Sequence, residues 1–95
     1  MDADGYPDEE ELKRIREWPP QDGYVTLLEY VRILWRYQDY FTRSSNRYYL
    51  STGGWSGNES LVEALAQNMV FWAMCWRLSK RGGHYEFEVP KTIVP

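Results

Sequence analysis

"MVFWAMCWRLSKRGGHYEFEV", residues 69–89, decides the fold, because three different signals follow one another there without a gap. An apolar, tryptophan-rich run ends in Lys80 and Arg81, two glycines follow, and Tyr85, Phe87 and Val89 then alternate with His84, Glu86 and Glu88. Alternation of this kind marks a half-buried strand. The run before it reads as the second half of a helix, its basic residues closing the last turn and Gly82 and Gly83 giving the left-handed stop.

Working upstream, the helix is expected to run from about 58 to 80. Its first half places Leu61, Val62, Leu65 and Met69 on one side and Glu63 and Gln67 on the other. The second half keeps Trp72 and Trp76 on the apolar side and adds Val70, Phe71, Met74 and Leu78 on what had been the polar one. A helix apolar on two sides must be covered twice, so Val70, Phe71, Met74 and Leu78 are the expected interface residues. "NRYYLST", residues 46–52, is short, aromatic and alternating, and reads as a strand. Strand, helix, strand implies parallel strands joined by a right-handed crossover. Two parallel strands alone are marginal and leave open edges, so a homo-oligomer is expected.

The N-terminal part reads as helical. "PDEEELKRIREW", residues 7–18, runs from Pro and acids to Lys13, Arg14 and Arg16, as a helix dipole prefers, and Pro19 and Pro20 stop it. In "VTLLEY", Thr26 and Glu29 match a capping box and Val25 and Tyr30 a hydrophobic staple, announcing a second helix whose apolar side includes Leu27, Val31, Leu34, Trp35 and Phe41. Its opposite stripe, Glu29, Arg32, Arg36, Asp39 and Arg43, reads as an ion-pair-laced surface. The expected fold is therefore α+β, two N-terminal helices followed by a β-α-β unit with one long central helix. One small domain is expected over residues 1–95, with a mobile acidic leader at 1–7, a helical part at 8–45 and the strand–helix–strand part at 46–90.

Charge is unevenly placed. The net charge of −3 conceals a leader with six acids and no base among residues 1–11, which leaves 8 acids against 11 bases in the remainder. A mildly basic body permits an anionic ligand, whereas nucleic acid is not an expected partner. One cysteine, Cys75, and one histidine, His84, leave no set of ligands for zinc, so neither a metal nor a cofactor is expected. No apolar run reaches the length of a membrane span.

The joint "STGGWSGNES", residues 51–60, is richer than a turn requires. Gly53, Gly54 and Gly57 permit close approach to the backbone, Ser56 or Asn58 can cap the helix, and the free N–H groups of the first helical turn suit an anion. The stretch has neither the Lys-Ser/Thr ending of a P-loop nor the dinucleotide fingerprint, and a tight turn with Trp55 plugging the core is the competing reading. A second glycine joint holds Arg81, His84 and Tyr85. With parallel strands the two joints lie at opposite ends of the helix and meet only across a subunit boundary. The expected ligand site is Gly53, Gly54, Trp55, Ser56, Gly57, Asn58, Arg81, His84 and Tyr85, with the aromatics as stacking faces and Arg81 as a bidentate donor. Catalysis is not expected. A single histidine cannot form a two-histidine acid–base pair. The alternative of a small nuclease-like enzyme, with His84, Glu59 and an arginine cleaving RNA or Ser56 and His84 acting as a nucleophile pair, needs residues from opposite ends of one helix to meet.

Residues 48–89, from "YYLSTGGWSGNESLVEAL" through "WRLSKRGGHYEFEV", resemble a family of small uncharacterised proteins encoded by tailed bacteriophages. In that family a "GGWSGNE" loop and an "S(K/R)RGGHYxF" segment flank a Trp-containing helix, behind a divergent acidic and Trp-containing N-terminal part. The resemblance covers just under half the chain. It implies an accessory phage protein acting in the host cytoplasm, without implying a mechanism. Two modes of action suit such a protein: sequestering an anionic, nucleotide-like immune messenger, or binding a host protein.

Overall fold

The computed structural model describes residues 1–91. Helix α1, Glu9–Arg16, begins on a complete capping box, the Asp8 carboxylate accepting Glu11 N–H at 2.9 Å and the Glu11 carboxylate accepting Asp8 N–H at 2.9 Å. Helix α2, Tyr24–Leu34, starts earlier than the Thr26 signal suggests. Gly23, at φ 84°, is its N-cap, and the Thr26 hydroxyl donates back to Gly23 O at 2.7 Å. The helix stops at Leu34 because Trp35 is already extended, and a 3₁₀ turn over Gln38–Tyr40 leads into strand β1, Phe41–Ser44. Phe41 and Arg43 are thus strand residues, although both fit the helical wheel of α2.

Strand β2, Arg47–Ser51, pairs with β1 and leads to α3, Ser56–Gln67. The expected long helix is interrupted at Asn68. A second helix, α4, covers Met69–Cys75, and the next five residues form β3, Trp76–Lys80, which turns back through Gly82 and Gly83 into β4, His84–Glu88. The sheet order is β1-β2-β4-β3, with every pair antiparallel. The α+β class holds, but the parallel β-α-β unit does not form. Residues 76–80 gain backbone partners from the strand that immediately follows them, a nearby source of hydrogen bonds that apolar periodicity does not reveal. A bulge between Trp76 and Leu78 then puts Trp76 opposite Phe87 and Leu78 opposite Glu86, so the two side chains do not share a face as residues two apart otherwise would. Four strands from one chain also remove the argument that unpaired parallel strands require an oligomer.

One sheet face supplies Phe41, Tyr48, Leu50 and Phe87 to the core, under Leu27, Leu28, Val31 and Leu34 of α2 and Leu61 and Leu65 of α3. Phe71, an expected interface residue, is fully buried, its ring 5.3 Å from those of Tyr24 and Phe87. The other sheet face carries Thr42, Tyr49, Ser51, His84 and Glu86, all at least partly exposed. At its edge Glu88 accepts from Arg47 at 3.1 Å and Arg77 at 2.9 Å. Desolvation pushes the Glu88 carboxyl up, and the two guanidinium groups outweigh it and hold it below its ordinary value. This clamp contributes at pH above the ordinary carboxyl range and is lost as pH falls through the lowered value.

Asn68 joins three elements. Its Nδ2 donates to Ile15 O at 3.0 Å and Trp18 O at 3.1 Å, and its Oδ1 accepts Phe71 N–H at 3.3 Å as the N-cap of α4. Asn68→Ala leaves those groups without partners in a buried setting. It is expected to lower stability by about 2–3 kcal/mol in urea titrations, well beyond the usual loss of a helix cap.

Candidate functional site

The two glycine joints meet within one chain. Strands β2 and β4 are antiparallel neighbours, so the end of β2 faces the start of β4: Ser51 pairs with His84, and Thr52 N–H donates to Gly83 O at 3.0 Å. Gly83 packs so closely on Thr52 that a Cβ there would overlap the Thr52 hydroxyl. The expected subunit boundary is therefore not needed to bring them together.

The glycine loop is filled by the chain itself. Gly53 and Gly54 adopt positive φ, and the Tyr37 and Tyr40 rings reach within 3.0 Å of where a Gly53 Cβ would stand. At the start of α3 the Trp55 indole folds back over Gly57, whose absent side chain makes the room. Tyr6 stacks on Trp55 with centroids 4.8 Å apart and planes at 25°. The Arg36 guanidinium lies 4.1 Å from the indole centroid and donates to Asp4 O at 2.8 Å. The leader, expected to be mobile, thus lies over this stack, its own turn held by the Asp2 carboxylate accepting Asp4 N–H and Tyr6 N–H at 2.9 Å each.

The expected ligand-binding residues accordingly have specific local duties. Asn58 is fully buried and spends its oxygen on Arg36 N–H at 3.0 Å and its amide hydrogens on Arg36 O at 2.8 Å and Thr52 O at 3.2 Å. Ser56 is exposed and caps nothing, since Trp55 is the N-cap of α3 and makes no side-chain cap bond. Arg81 is exposed in the β3–β4 turn, while Tyr85 is half-buried opposite Leu50. His84 bridges Ser51 Oγ at Nδ1 and Glu86 Oε2 at Nε2, each at 2.9 Å. The order serine–histidine–carboxylate is that of nucleophilic enzymes, but the amide nearest Ser51 on its C-terminal side is committed to Gly83 O instead of an oxyanion. The Ser51–His84 contact clasps β2 to β4, and Glu86 braces the imidazole from within β4.

Sequence reading missed Tyr6, Arg36, Tyr37, Tyr40 and Ser51. Arg36 fitted a helical stripe that ends before it, and nothing local marks Tyr37 for φ 70°, an unusual conformation for a bulky residue. Among the described residues no three His, Cys, Asp or Glu side chains are arranged to hold a metal ion, and no helix is long and apolar enough to cross a membrane.

A second surface lies at the other edge of the sheet. Met69, Val70 and Met74 on α4 and Trp76 on β3 are 79, 50, 41 and 43 % exposed, beside the open edge of β3. Val70 and Met74 were expected at an interface and are available for one, whereas Leu78 is half-buried opposite Glu86 and Phe71 is interior. Trp76 stacks with Trp72 at 6.2 Å and 17°.

The chain matches no family model, no curated protein and no solved structure.

Two outcomes follow from this geometry. An exposed helical Gly→Ala change ordinarily stabilises by about 1 kcal/mol, but Gly57→Ala must displace the Trp55 ring and is expected to destabilise by about 1–3 kcal/mol in chemical denaturation. Cys75 is buried, and burial pushes its thiol up to about 12. At pH 8 it is expected to resist a thiol reagent in the folded chain and to react promptly in denaturant, as followed by intact mass.

Proposed function

We propose that the protein is a non-covalent protein-binding module whose partner-facing surface is formed by α4 and β3. The observation that carries this reading is the concentration of Met69, Val70, Met74 and Trp76 at high exposure beside an open strand edge. Exposed apolar side chains gathered on one short helix and the strand that follows it suit an interaction site, and flexible methionines suit the irregular surface of another chain.

The edge favours a different polypeptide over a second copy. Strand β3 carries Arg77 and Lys80, and Arg81 follows in the turn. Cations on and beside an edge strand are a device by which it resists self-association, and Lys80 and Arg81 are in no salt bridge among the described residues, whereas Arg77 is held by Glu88. The phage-type resemblance of residues 48–89 makes a bacterial host protein, met in the host cytoplasm, the partner to look for. Sequestration of an anionic nucleotide-like ligand at the glycine loop suits the geometry less well, because Trp55, Tyr6 and Arg36 occupy the start of α3 and Asn58 is committed to backbone.

The test places a photo-crosslinking residue at Met69 in the full chain, produced in a bacterial host. One discrete heterologous product is expected, and it is expected to disappear in Val70→Glu/Met74→Glu. Each charge put into the interface is expected to cost at least ~1.5 kcal/mol, roughly tenfold in affinity. Stability should stay near wild type, since both side chains are exposed. A product of twice the chain mass would make this a self-association face and overturn the reading, as would a heterologous product that survives the double substitution.

A further inference from the structure

A groove of about 510 Å³ lies between α3 and the start of β4, next to the Trp72–Trp76 stack. Its walls are Val62 and Ala66 on α3 with Trp72 and Tyr85 facing them, and its charged groups are Glu59 and Glu63. That is the size of a ligand site, open to solvent and with polar and apolar surface in nearly equal share. The polar groups here share one sign, and no Lys or Arg lines the groove.

Glu59 and Glu63 are one helical turn apart, where like charges oppose helix formation. Glu59 lies in the first turn of α3 and complements the helix dipole there. Glu63 has no such compensation. It accepts only a long bond from Gln67 at 3.5 Å, and neither carboxylate forms a salt bridge among the described residues. The two acids face a tryptophan and a tyrosine across a space with no cation in it. A planar guanidinium satisfies both sides, stacking on an aromatic face while its N–H fork engages a carboxylate. An ammonium offers only a point charge, and an anion would be repelled.

We infer that this groove receives an arginine side chain of the polypeptide that covers the α4–β3 surface. The cationic class follows from the groove alone. The polypeptide source rests on the proposed interface, to which the groove is joined because Trp72 lines it and also stacks on the exposed Trp76.

The experiment is a titration of the full-length ¹⁵N-labelled protein, read at the Trp72 indole N–H and the Glu59 and Glu63 amides. The probes are N-acetyl-argininamide, its uncharged citrulline analogue, and a short peptide with leucines on both sides of one arginine. Shifts confined to the groove are expected with argininamide, with binding at least about tenfold weaker for citrulline and for the exposed pair Glu59→Gln/Glu63→Gln. Equal binding of citrulline, or unchanged binding by the double variant, would overturn the cation site. The leucine-flanked peptide is expected to bind more tightly than argininamide and to lose that advantage in Val70→Glu/Met74→Glu. If it binds no more tightly, the polypeptide source is overturned while the guanidinium site stands. Groove shifts by argininamide that persist in Val70→Glu/Met74→Glu distinguish a sound groove from a failed interface.

Discussion

Asn68 turns the chain with a side chain where other proteins use a loop. One amide hydrogen-bonds to two carbonyls after the middle of α1 and caps α4 at Phe71 N–H. The redirected α4 then lays Phe71 against Tyr24 and Phe87, and delivers Trp76 to the edge of the sheet. Without that change of direction α3 would continue outward, residues 76–80 would have no strand beside them, and the face of Phe87 would lie open. The place of β3 at the sheet edge follows from this turn. So does the exposure of the α4–β3 surface, because α4 can bury only one side against the sheet.

The elaborate glycine joint answers a packing problem. Gly53 admits two tyrosine rings, Gly57 admits the Trp55 indole, and Gly83 admits Thr52, so each glycine marks a place where a side chain must touch backbone. Asn58 holds the turn by taking three backbone partners, one of them in Thr52 and two in Arg36. These residues locate the leader, the end of α2, the end of β2 and the β3–β4 turn relative to one another. A spacing suited to an anion cradle is here used to seat an aromatic stack, and the chemistry left on offer lies elsewhere on the surface.

Two neighbouring parts of the exposed surface differ in character. The α4–β3 ridge is apolar with a basic edge and the adjoining groove is aromatic with an acidic rim, so complementing both takes apolar surface and an acidic group at the ridge and a basic group at the groove. Trp72 and Trp76 link them, and Trp72 is in turn braced edge-on by Phe87 in the core, with ring centroids 5.5 Å apart. The exposed Trp76 is therefore supported by the same packing that holds the sheet.

The sequence by itself determined those features that are settled within a few residues. Pro7 and the acids after it announce α1, and the alternation of Tyr85 and Phe87 with Glu86 and Glu88 announces β4, because helix starts and pleats are local consequences of side-chain chemistry. Gly82 and Gly83 mark a break in the chain, though the structure makes it a turn between strands and not the end of a helix. Only the tertiary structure decided between helix and strand for Trp76–Lys80 and for Phe41–Ser44. Both runs carry apolar residues that extend a helical wheel, and both become strands because a neighbouring strand offers hydrogen bonds to their backbone. The same holds for the site. Trp55, Asn58 and the glycines were visible as an unusual cluster, but whether they face a ligand or one another depends on Tyr6, Tyr37, Arg36 and Thr52, which approach from elements distant in sequence. Long-range contacts of that kind leave no local periodicity, and the direction of a strand is set by the partner it finds.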